Sequence, residues 1–147
     1  MSAMKAIDTH AHILSEETMR LIGKEAPQVA PKLTPIDDDF AVLEIAGAPY
    51  RPFPRGGWDM ERRLKDMDFS DVDVQVLSNT PQTFLYNQDA SLNATLSALQ
   101  NDQIAKAVAA NPDRFRHAEP IAILHPLNSG GAPTECLRAR LGNCGLE

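Results

Sequence analysis

The run VDVQVLSNTP, from Val72 to Pro81, is β-branched and apolar, and it lies between two segments with helical spacing. That arrangement constrains the fold more than any other feature of the chain. The run predicts a strand of about six residues, closed by the turn formers Ser78, Asn79 and Pro81. Upstream, Asp59 is placed to cap MERRLKDMDFS, in which Met60, Leu64 and Met67 fall at i, i+4 and i+7 on one helical face. Downstream, residues 90–110 carry Leu92, Leu96, Leu99, Ala107 and Val108 near helical spacing, and Pro112 in NPDRF stops that helix. A strand held between two helices finds its neighbours through crossovers, which points to a parallel sheet.

The flanking segments continue the alternation. Residues 4–12 predict a first strand, with Ile7, Thr9 and Ala11 on one face and Asp8, His10 and His12 on the other. Ser15 caps a helix to about Lys24, with Glu16 and Glu17 at the positive end of its dipole. Pro27, Pro31 and Pro35 end it. The run FAVLEIAGAPYRPF (40–53) offers two β-like stretches around Gly47, so residues 27–58 are expected to hold an inserted β-hairpin. PIAIL (120–124) is the third expected strand, and residues 117–147 read as an atypical tail. The whole chain, 1–147, is expected to be a single α/β domain built as a parallel sheet or barrel.

Charge narrows the partners. Twenty acidic residues against fourteen basic ones give −6, with no long basic block, which argues against a nucleic-acid partner or an anionic membrane surface. A small polar molecule is the better candidate. Neither a signal-peptide core nor an apolar run near the ~20 residues of a membrane span is present, so a cytoplasmic protein is expected. Cys136 and Cys144 fit reduced thiols with no zinc motif between them.

KAIDTHAHIL (5–14) carries the chemistry. Side chains at i and i+2 of a strand project the same way, about 6.6 Å apart along it, so His10 and His12 can lean onto one ion at about 2.0–2.1 Å from each nitrogen. The pair closes the strand at its C-terminal end, where (β/α)8 enzymes place catalytic groups. The competing reading has one histidine hydrogen-bonded in the core and the other in a loop. Asp8 could support an imidazole or serve packing, and Ser78, Asn79 and Thr80 could line a pocket or only make the turn. Trp58 is expected to anchor the hairpin, and His125 to end the third strand without being a ligand.

IDTHAHIL resembles the D-x-H-x-H opening of the amidohydrolase superfamily. WDMERRLKDMDFSDVDVQVLSNTP, LNATLSALQNDQIAKAVAANPDRF and the hairpin before Trp58 resemble its aminocarboxymuconate semialdehyde decarboxylase-like branch, over residues 5 to 116. The resemblance implies the N-terminal part of a metal-dependent hydrolase-type (β/α)8 TIM barrel holding one divalent ion, zinc in most members. It implies His10 and His12 as metal ligands, and Arg51, in the hairpin near Arg55, as the residue that grips a substrate carboxylate with its planar fork.

The family's further ligands, a histidine and an aspartate, and its general-base histidine belong to later strands, and a whole barrel takes roughly 250 residues. The expected barrel is therefore incomplete, with open edges that favour association of the chain with itself. The function implied is metal-dependent, non-oxidative decarboxylation of a small unsaturated or aromatic carboxylic acid. Two alternatives stand beside it: a metal-dependent hydrolase of an amide, ester or lactone, and a catalytically incompetent fragment or interaction module.

Overall fold

The computed structural model describes residues 6–117, apart from the side chains of Tyr50 and Arg51. Its elements run β1 (Ile7–Ile13), α1 (Glu16–Glu25), β2 (Lys32–Pro35), β3 (Phe40–Ile45), β4 (Ala48–Pro54), α2 (Met60–Phe69), β5 (Val74–Asn79), α3 (Ala90–Ala110) and β6 (Phe115–His117). β1, β5 and β6 form a parallel sheet in the order β1-β5-β6, and β2, β3 and β4 form an antiparallel one. The fold is mixed α/β. Among the described residues no helix is long and apolar enough to cross a membrane.

Local chemistry accounts for the helix ends. The Ser15 hydroxyl accepts from the Thr18 amide and starts α1, and the Asp59 carboxylate accepts from the Arg62 amide and starts α2. Asp89 does the same for α3 through the Ser91 and Leu92 amides. Asn111 closes α3, its amide donating to the Ala107 and Val108 carbonyls.

α2 and α3 lie on one face of the parallel sheet. Leu77, in the central strand, packs with Ala11, Ile13, Met67, Ile104 and Phe115, and Met60, Leu64, Ala107 and Val108 close around them. A second cluster, Ile22, Ala26 and Leu96, joins α1 to α3. α3 thus serves both clusters, Leu96 at one end and Ile104 at the other, which explains why its apolar residues do not collapse onto one narrow stripe.

Three differences from the sequence reading have physical causes. First, β1 is bulged: Asp8 pairs with Gln75 and Ala11 with Leu77, so Thr9 and His10 together oppose the single residue Val76. The bulge places Asp8 on the face of Ala11 and Leu77, which is the helix side, and not with His12. Second, β6 begins at Phe115, inside the stretch expected only to end α3. Its fully buried ring and its parallel pairing with Gln75 draw the chain into the sheet at once. The expected strand PIAIL, together with His125, Cys136, Cys144 and the tail, lies outside the described residues.

Third, the segment 27–58 holds three strands, because residues 32–35 pair back onto β3. β3 and β4 are joined by Ala46 and Gly47, both at positive φ (50° and 78°), as a two-residue turn between right-twisting strands requires. This sheet is tied to the parallel one at several points. Trp58 stacks on Phe53 of β4, ring centroids 5.6 Å apart at 11°, which is the anchoring contact expected of it. The Leu14 amide donates to the Gly57 carbonyl at 2.8 Å, and Arg62 bridges Asp39 and Asp66. A Cβ at Gly57 would stand 2.8 Å from the Phe53 ring, so glycine is required there.

Candidate metal centre

The site is built at the C-terminal end of β1. His12 Nε2 and His10 Nε2 lie 3.1 Å apart, the rings edge to face with centroids 4.7 Å apart at 81°. The bulge does not separate the pair, since alternation resumes through His10, Ala11 and His12. Two nitrogens at this spacing can share one ion at about 2.1 Å from each. The reading with one histidine in a loop and one in the core is therefore not the observed arrangement: both belong to β1 and meet at their Nε2 atoms.

β5 sets the proton on His12. Its Nδ1 lies 3.0 Å from the Asn79 carbonyl, which can only accept, so Nδ1 carries the hydrogen and Nε2 keeps its lone pair. Ser78 Oγ lies 2.8 Å from the same Nδ1. A carbonyl holding the far nitrogen while the near one faces an ion is the usual support for a metal-binding imidazole. Burial, the neighbouring His10 and the Arg63 charge lower the His12 pKa below the ordinary histidine value, against the opposing pull of the Asn79 carbonyl. His12 is thus held neutral, and His10 Nε2–H donates to it when no ion intervenes. Ser78 and Asn79 serve the histidine, whereas Thr80 makes the turn, its amide and hydroxyl both donating to the Ile13 carbonyl.

Asp8 does not reach an imidazole. Its Oδ1 accepts from the His10 main-chain amide at 2.9 Å, and its Oδ2 accepts from Gln75 Nε2 at 3.0 Å. Gln75 Oε1 in turn accepts from Arg63 Nη1 at 3.0 Å, and Arg63 Nη2 donates to the His12 carbonyl at 2.5 Å. Arg63 is only 7% exposed, and burial lowers its pKa to about 10 against the pull of Asp8 and Asp66. Neither Arg63 nor Gln75 was singled out from sequence, although one signal was present. Arg63 stands between Met60, Leu64 and Met67, a charge within the stripe that a helix turns to its core.

Among the described residues no group of three or more His, Cys, Asp or Glu side chains is placed to hold a metal. The two imidazoles are a fitting half of a donor set. Arg51 lies in β4, at a second bulge, where Arg51 and Pro52 together oppose Val42; its side chain is outside the described set.

No family model matches the chain. A curated relative, the 2-amino-3-carboxymuconate-6-semialdehyde decarboxylase of Dictyostelium discoideum, is 30% identical over 144 residues, which cover 96% of this chain and 37% of that protein. Among solved structures, the apo form of IDCase from Metarhizium anisopliae superposes with a TM-score of 0.61 at 15% identity. The 5-carboxyvanillate decarboxylase of Sphingomonas paucimobilis superposes at 0.56 with 24% identity. Each comparison covers 78% of this chain and 34% of the other. The chain therefore spans little more than a third of the curated relative it matches.

Proposed function

We propose, for a chain that belongs to the amidohydrolase superfamily in its aminocarboxymuconate semialdehyde decarboxylase-like branch, that its residues serve the metal-dependent, non-oxidative decarboxylation of a small unsaturated or aromatic carboxylic acid. The observation that carries the reading is the meeting of two imidazoles at 3.1 Å, with the Asn79 carbonyl holding the proton of one on its far nitrogen. On this reading His10 and His12 hold a divalent ion, zinc by preference for a nitrogen-rich donor set. When bound, such an ion supplies the positive charge that polarises a carboxylate oxygen and orients the acid.

The chain's own residues then have distinct tasks. His12, neutral near pH 7, offers a lone pair without first losing a proton. Ser78 and Asn79 keep its ring from rotating. Arg51, at the middle of β4, grips a substrate carboxylate, for which a guanidinium fork is matched. The remaining donors and the group that moves the proton come from outside the described residues. β1 and β6 each have one strand neighbour among these residues, so further strands of a barrel, or a second copy of the chain, complete the sheet.

The test loads the chain with Zn²⁺ or Co²⁺, removes excess by dialysis, and measures bound metal and release of carbon dioxide. The acids supplied are those named for the relatives, 2-amino-3-carboxymuconate-6-semialdehyde and 5-carboxyvanillate. One bound ion per chain, lost in His10→Ala and His12→Ala, with carbon dioxide released from a carboxylated acid, is the expected result. Metal retained by both variants, or cleavage of an amide, ester or lactone without decarboxylation, overturns it.

A further inference from the structure

We infer that Arg63 is a positioning residue, which with Gln75 and Asp8 holds the bulged β1 segment in the one register that brings His10 and His12 together. This rests on the site described above and adds to it a device that neither the metal nor the substrate touches.

The bulge creates the need. Two residues opposite one leave the main chain at Thr9 and His10 outside the regular β1–β5 ladder, and such a segment can slip. A slip by one residue would turn His10 to the helix face. Four hydrogen bonds close a loop around it: Arg63 to the His12 carbonyl, Arg63 to Gln75, Gln75 to Asp8, and the His10 amide to Asp8. The loop grasps β1 at both histidines by their main-chain groups, so it sets where the rings start and leaves the imidazole nitrogens free for other work. Gln75 is suited to the middle position because its amide accepts on one side and donates on the other.

Stability alone does not account for the arginine. Its side chain is 7% exposed, and its Nε is buried without an acceptor among the described residues. A buried guanidinium with an unmet donor is costly, and an apolar side chain of similar volume in such a place is commonly neutral or stabilising. What an apolar replacement cannot do is hold the His12 carbonyl and the Gln75 amide at once.

The experiment compares the full chain with its Arg63→Met and Gln75→Glu variants. Gln75→Glu keeps an acceptor for Arg63 but removes the donor to Asp8 and sets a second carboxylate against it, so it breaks the loop at its middle while Arg63 stays paired. The readouts are the His10 amide shift and the His10–His12 ring contact by NMR in metal-free protein, thermal stability, and Co²⁺ affinity by competition with a chromophoric chelator.

The expected result is a displaced His10 amide and a weakened ring contact in both variants, with the thermal midpoint kept in at least one. Where the parent binds Co²⁺, affinity falls tenfold or more, in the range found when groups supporting metal ligands are removed. Unchanged His10 and ring signals in a folded variant overturn the inference, whether or not metal binds. A parent that binds no Co²⁺ counts against the proposed function, and the metal-free NMR signals still decide the role of Arg63.

Discussion

Ser78 Oγ lies 2.8 Å from His12 Nδ1, placed there by the parallel pairing of the two residues on neighbouring strands. The Asn79 carbonyl contacts the same nitrogen, so the two supports are partly redundant. Ser78→Ala is therefore expected to weaken Co²⁺ binding by about tenfold, the low end for a supporting group. His12→Ala should abolish it. Chelator competition on both variants checks the ordering.

Acid should loosen the His12 region. Burial, His10 and Arg63 lower its pKa in the folded chain below the value of about 6.5 that it has when unfolded. The unfolded chain therefore binds more protons in that window, and the contribution to stability is intact above about pH 6.5 and falls as pH drops toward the lowered folded value. Thermal melts between pH 8 and pH 5 (roughly the range over which histidine changes charge) should show a smaller decline for His12→Asn than for the parent.

Asp59 is the N-cap of α2 and also pairs with Arg55 at 2.8 Å. Its bond from the Arg62 amide, then that from Arg55, lower its pKa. The stability it contributes is present above the unfolded value of about 3.9 and is lost as pH falls through the folded one. Asp59→Ala should cost about 1 kcal/mol at neutral pH, measured by urea unfolding, and the difference from the parent should shrink in acid.

Two apolar residues test the packing. Leu77 is fully buried at the centre of the parallel sheet, whereas Phe69, at the end of α2, is 93% exposed. Leu77→Ala should cost about 2–5 kcal/mol, a large share of the 5–15 kcal/mol typical of a domain. Phe69→Ser should stay within about 0.5 kcal/mol and improve solubility. Equilibrium unfolding of both variants, read by circular dichroism, makes the comparison.

Much of this architecture was legible because its determinants are local. Ser15 and Asp59 start helices by bonds reaching three residues ahead, and Pro112 restricts the residue before it where α3 stops, so these caps and the bounds of α3 can be read directly from the chain. The i, i+2 spacing of His10 and His12 likewise survived, because the bulge takes in His10 without breaking the alternation from His10 through Ala11 to His12. The placement of Asp8 did not, since that depends on Gln75, sixty-seven residues away. β6 also escaped notice: three residues are too few to show a period, and what makes them a strand is the place that Leu77 and Ile104 leave for Phe115.

The sequence by itself determined the three helices and the strands β1 and β5, and it set two imidazoles on one side of β1, since those properties follow from chain stereochemistry within a few residues. Only the tertiary structure decided the face on which Asp8 lies, the tautomer of His12 and the burial of Arg63 beneath the site. Each of these is set by a hydrogen-bond partner on another element, and no spacing along the chain encodes the register at which two strands meet.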